Sequence, residues 1–167
     1  MKIKHWFISI VAFAVLVMFD QWTKWLAVIK LKGNTPVVLL DGVFEFYYFE
    51  NHGAAFGVLQ NKRILLIIVT SIILIGILWM FAKIPNTKKY LPMKIVAVVV
   101  AAGAVGNFID RICNGYVVDF LYFKWINFPI FNVADCYVVV SMVTMILLSF
   151  FYYKDEDFEV LKKSHKN

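Results

Sequence analysis

Three acids, Asp110, Asp119 and Asp135, share the stretch from Gly106 to Asp135 with Asn107, Arg111 and Asn132. Strongly apolar segments flank this stretch on both sides. Charged groups at the edge of a membrane segment are costly, so their gathering here calls for a reason. Two carboxylates brought close cannot both ionise; they share a proton and titrate as a pair. One member can then take a proton from water while the other donates to a carbonyl oxygen. Asp119 and Asp135 are the candidates for such a pair, which needs no metal, cofactor or side-chain nucleophile. Asp135 lies three residues after Asn132, which can cap a helix, and an acid in a first turn is favoured by the helix dipole. Capping alone would therefore account for Asp135. It would not account for Asp119, which sits in VVDF with apolar neighbours and no adjacent cation.

Other catalytic chemistry finds little support. GxSxG is absent, and no apolar span holds a histidine to activate a serine. Three histidines and two cysteines, with no CxxC or HExxH, make no usual zinc site. Cys113 and Cys136 both fall on the outer side, and the sequence leaves their pairing open; Cys136 is read as packing beside Asp135. Further polar groups are placed to support a site. Asp20 and Lys24 are one helical turn apart on the same face and form an internal ion pair that braces other polar groups. Asn107, Asp110 and Arg111 recur at i, i+3 and i+4, hence on one face. Each ionised group facing lipid costs ~2.5–3.5 kcal/mol on the gentlest scale. Asp20, Asp110, Arg111, Asp119 and Asp135 together would cost roughly 12–17 kcal/mol, comparable to the stability of a whole domain. They are expected to converge on one another or on a wet cavity.

The elements that must position them follow from composition. The chain has 167 residues, 62% hydrophobic and 17% charged, with a mean hydropathy of +0.75. Soluble domains are nearer half apolar with about a quarter of residues charged. An integral membrane protein is expected, one domain over residues 1–167, with four transmembrane helices at about 6–29, 64–82, 93–112 and 133–153. The first apolar run lacks a small-x-small cleavage site and reads as a retained span. Lysines at residues 2, 4, 83, 88, 89, 94, 154, 162, 163 and 166 outnumber the basic residues on the other side, which places both termini in the cytoplasm. Trp6, Trp79, Tyr152 and Tyr153 mark the inner edge, and Trp22 and Trp25 the outer. The net charge of +6 is spent on topology; nucleic acid is not an expected partner.

Residues 30–63 and 113–131 are then outer loops. Val37 to Leu40 and Val43 to Phe49, joined at Asp41-Gly42, predict a small extracytoplasmic β-sheet on the membrane surface. The following ENHGAAFGVLQ is an apolar patch too short to span. The second loop starts at a helix stop, Asn114-Gly115, and carries enough aromatics to rest on lipid headgroups as a lid. The inner loop 83–92 carries no chemistry, and the tail from Lys154 reads as a solvated helix end. Asp119 and Asp135 thus read as the working pair of an aspartic protease embedded in a membrane, and two rival readings stand beside it: a small proton- or cation-coupled transporter or channel subunit, and a non-catalytic membrane scaffold. A transporter is expected to show repeats or interrupted helices near the midplane, and this sequence shows neither.

Five blocks in order, DQWTK from Asp20, NHGAAFG from Asn51, GNFIDR from Gly106, VVDF from Val117 and FNVAD from Phe131, resemble the bacterial lipoprotein signal peptidase family over almost the whole chain. The resemblance implies a membrane aspartic endopeptidase with Asp119 and Asp135 as its dyad. It implies that Asp20, Asn51, Asn107, Asp110, Arg111 and Asn132 hold the site or the substrate, with Lys24 and Gly53 supporting them from the same blocks. It further implies cleavage of diacylglyceryl-modified prolipoproteins before the lipidated cysteine, by a monomer among the lipids of the bacterial cytoplasmic membrane, at a site facing outward. Cys136 stands where many relatives look to have a small hydroxyl residue. A lipid-anchored cysteine holds its peptide bond at the membrane surface, which demands acids at that depth. An extended substrate would offer backbone groups to Asn51 and Arg111.

Overall fold

The computed structural model describes residues 2–54 and 58–163. Four long helices, α1 (Lys2–Leu31), α2 (Arg63–Lys83), α3 (Leu91–Cys113) and α4 (Val133–Phe151), are followed by a short α5 (Asp155–Lys163). Strands β1 (Val37–Leu40), β2 (Phe44–Asn51) and β3 (Val117–Phe123) form one antiparallel sheet in the order β1-β2-β3. Each long helix has the length and apolarity to cross a membrane. Ile64, Ile72, Ile75, Leu78, Val139 and Phe150 lie exposed along these spans, as they should where lipid is the solvent.

Local sequence explains where the helices start and stop. Pro92 occupies the first turn of α3, where its missing N–H leaves no bond unmade. That helix ends at the predicted Asn114-Gly115, with Gly115 at φ +87°. Asn132 caps α4 in a reciprocal box: its side chain accepts from the Asp135 N–H, and the Asp135 carboxylate accepts from the Asn132 N–H. At 1.5 Å per residue, the 30 residues of α1 reach roughly 45 Å, longer than a bilayer's hydrocarbon. The surplus carries Ala27 and Leu31 into a buried cluster with Val118 and Phe120 of β3, and so seats the sheet on the end of α1.

Several expectations need correction. The second outer segment is loop only in part, because Val117–Phe123 becomes β3 and pairs with β2 from Phe44↔Phe123 to Asn51↔Val117. Its β-branched and aromatic residues suit a pleated surface once an edge is available. Val43 stays in the hairpin turn, donating to the Leu40 carbonyl at 2.9 Å, so β2 starts one residue later than predicted. Of the expected apolar patch after β2, Ala55–Gly57 lie outside the described residues; around them the chain closes on itself, with Ala54 N donating to Val58 O at 2.7 Å and Asn61 N to His52 O at 3.1 Å.

The inner end departs from the solvated tail that was expected. Asp157 of α5 is buried and accepts from Lys89 and from the Tyr90 hydroxyl. Tyr153 is buried too, so it is no membrane-edge aromatic. It stacks on Tyr90 at 5.8 Å between ring centroids and donates to the Lys89 carbonyl at 3.1 Å. With Ile84, Met93 and Leu161 these rings form a second core at the end of the bundle opposite the sheet. The amphipathic register of DEDFEVLKK lets Phe158 and Leu161 join that core while the acids at 155 and 156 stay exposed.

Candidate active site

Five elements, α1, β2, α3, β3 and α4, deliver the polar groups. From α1, Asp20 and Lys24 are almost wholly buried, 0% and 3% exposed. The Lys24 ammonium lies 2.9 Å from Asp20 Oδ2 and 3.1 Å from Asp110 Oδ2 of α3, and donates to Asn107 Oδ1 at 2.8 Å. Its three N–H groups are thereby all used. Asp20 Oδ1 in turn accepts from the Ala134 N–H at 2.9 Å, answering one of the unpaired donors at the start of α4. Gly106 makes this approach possible, since a β-carbon there would lie 2.4 Å from Asp20 Oδ2. Gly103 does the same for α4, where a β-carbon would meet the Ala134 carbonyl oxygen at 2.5 Å.

Beside this buried cluster sit the two acids. Asn107 Nδ2 donates to Asp135 Oδ1 at 2.8 Å, and the Asn132 N–H to Asp135 Oδ2 at 3.1 Å. Asn132 Nδ2 donates to Asp119 Oδ1 at 2.6 Å and to Asn107 Oδ1 at 3.1 Å, while Asn51 Nδ2 donates to Asp119 Oδ2 at 2.9 Å. Asn132 therefore touches both acids, one through its side chain and the other through its backbone. Asp119 is 1% exposed. Burial, and then the neighbouring Asp135 charge, push its carboxyl up to about 7.

Both acids line one cleft of about 900 Å³. Its walls are Phe49, Asn51 and Tyr122 from the sheet, Asn107 and Arg111 from α3, the segment from Asn127 to Phe131, and Val138 to Val140 of α4. The wall is thus apolar along α4 and polar where the acids gather. A water placed between two carboxylates of which one is protonated could be activated there, with the apolar wall receiving an apolar chain.

The expected trio on α3 divides. Asp110 turns towards α1, accepting from Gln21 Nε2 at 3.0 Å and from the Val118 N–H at 3.2 Å. Arg111 points the other way and donates to the Gly53 carbonyl at 3.0 Å. Asn51, expected to offer its amide to substrate, accepts from the Gly53 N–H at 2.9 Å and gives its own donor to Asp119. Gln21 was overlooked in the sequence. It bonds Asp20 Oδ2, the Gly106 carbonyl and Asp110 Oδ1 together. The signal was an uncharged polar residue beside Asp20 inside an apolar span. Cys113 and Cys136 are both free thiols.

Known proteins resemble this chain along most of its length. The model of the signal peptidase II family matches residues 12–151. The chain is similar to the lipoprotein signal peptidase of Streptococcus thermophilus, 38% identical over 138 residues, covering 83% of this chain and 89% of the relative. It is 42% identical over 135 residues to that of Halalkalibacterium halodurans, covering 80% and 85%. A solved bacterial membrane enzyme structure superposes with a TM-score of 0.77 at 31% identity, over 96% of this chain and 93% of the other. With four membrane-length helices and this match along most of its length, the chain belongs to the signal peptidase II family and is a transmembrane aspartic peptidase.

Proposed function

We propose that this protein cuts diacylglyceryl-modified prolipoproteins just before the lipidated cysteine, using a water activated between Asp119 and Asp135. Family membership carries the coarser statement, that it processes the signal peptides of lipoproteins. The finer reading rests on one observation: the two acids share a cleft whose other wall is the apolar flank of α4. An apolar signal segment lies along that flank, and the lipid anchor keeps the scissile bond at the depth of the acids. Asn51, Asn107 and Asn132 hold the two carboxyl groups, Asp20, Lys24 and Asp110 brace the helices that carry them, and Arg111 ties the loop at Gly53 to the cleft rim. The protein acts as a monomer among the lipids of a bacterial cytoplasmic membrane, with both termini inside and the cleft facing outward, as the lysine distribution supports. Membership of a peptidase family replaces the transporter reading.

The test uses purified protein with a diacylglyceryl-modified precursor and its unlipidated twin. Only the lipidated precursor should be cut. Asp119→Asn and Asp135→Asn should each abolish cleavage while the melting profile stays cooperative. Cleavage that survives either substitution would end the dyad reading, and equal cutting of both precursors would end the lipid requirement.

A further inference from the structure

We infer that the dyad is asymmetric before substrate arrives: Asp119 carries the proton and acts as the acid, and Asp135 is the ionised base. The inference deepens the proposed peptidase reading and rests on it. Its basis is the difference between the two carboxyl groups' surroundings. Asp135 stands in the first turn of α4, where the helix dipole stabilises negative charge, and one of its oxygens accepts a backbone N–H. Its other oxygen accepts from Asn107, whose amide oxygen is held by the Lys24 ammonium at 2.8 Å. A cation thus polarises the amide towards Asp135.

Asp119 has no such support. It sits mid-strand in β3, where successive peptide dipoles largely cancel. Its two partners, Asn51 and Asn132, are neutral amides. The charged groups on the packed elements do not reverse the contrast. Lys24 and Asp20 of α1 are committed to the buried cluster with Asp110, and Arg111 of α3 is bonded to Gly53. On β2, Glu45 and Glu50 are paired with Lys124 and Lys32. The upward push on Asp119 from burial and from the Asp135 charge agrees with this geometry.

Roles follow with their protons accounted for. Asp135 takes a proton from the water whose oxygen bonds the scissile carbonyl carbon, and Asp119 gives its proton to the carbonyl oxygen, leaving a neutral diol. As the C–N bond breaks, Asp135 protonates the leaving nitrogen and Asp119 recovers a proton from a diol hydroxyl. Both acids end as they began.

Two side-chain amides act as separate reporters, Asn51 on Asp119 and Asn107 on Asp135. Full-length protein in lipid bicelles would be followed by nitrogen NMR of these amides between pH 5 and 9. The Asn51 signal should move through one transition near pH 7, while Asn107 moves by less than a third as much. Asp119→Asn should remove the transition, whereas Asp135→Asn should leave it in place at lower pH. A transition on Asn107 with Asn51 still would overturn the assignment, as would equal movement of both or movement of neither. The wild-type titration does not depend on either variant folding. It is also independent of cleavage, so a failed assignment and a failed peptidase reading are told apart by the precursor assay.

Discussion

Asn132 serves the two acids in different ways, and substitution can separate them. Its side-chain oxygen caps α4, while its amide nitrogen donates to Asp119. Asn132→Asp keeps a good cap but sets a second carboxylate against Asp119, so the fold should hold and turnover should fall at least 100-fold. A matching loss of stability, read by thermal melting, would show that capping is its main task. Asn51→Ala removes one of the two bonds to Asp119, a loss of ~0.5–1.5 kcal/mol, or about 2–10-fold in kcat. Unchanged turnover would remove Asn51 from the site. On the assignment proposed above, the acid form of Asp119, held up to about 7, is the working form. A carboxyl raised above its unfolded value keeps its proton below the folded pKa and loses it above. Activity should therefore fall about tenfold per pH unit above pH 7, and fall again in acid once the Asp135 base takes up a proton, measured as kcat on the lipidated precursor. At this scale the sequence marks which residues are polar where apolar ones belong. It does not say that Asp110 and Arg111 turn opposite ways, since adjacent positions on a helix share a face only loosely and their partners lie on other elements.

Helix contacts in a bilayer depend on small residues, because lipid tails are as apolar as leucine and supply no hydrophobic drive between helices. Gly103 and Gly106 fit that need. The close contact at Gly106, however, is with the Asp20 carboxylate of α1 rather than with a helix backbone. Gly106→Ala should push that carboxylate away from the Ala134 N–H, costing ~1–3 kcal/mol and lowering activity. Cleavage and melting at the wild-type level would show that the side chain relaxes freely. The sheet carries a different lesson. The β1–β2 hairpin was legible because its turn and alternation are local. β3 was not, because VVDFLYF is apolar on both sides and becomes a strand only when β2 presents an edge.

Across the molecule the two ends have separate duties. The site lies at the start of α4, and α5 follows its far end, roughly 28 Å away along 19 residues. Asp157→Ala should remove the clasp between α5 and Lys89 and Tyr90, lowering the melting temperature by about 2–10 °C. Cleavage below that temperature should be unaffected; a direct loss of turnover would couple the two ends. Orientation is open to a thiol test. Cys113 is exposed at the end of α3 that carries the site. In a Cys136→Ser background, a membrane-impermeant maleimide should label Cys113 on intact cells. Labelling only after lysis would reverse the topology. By itself the sequence determined the four spans, their turns and the polar residues that had to leave lipid, since hydropathy, helix stops and tight turns are properties of neighbouring residues. Tertiary structure alone decided the pairing of β3 with β2, the docking of α5 and the direction in which each asparagine amide points. Those depend on groups such as Asn51 and Asp119, 68 positions apart, which acquire a relation only when the chain has closed around them.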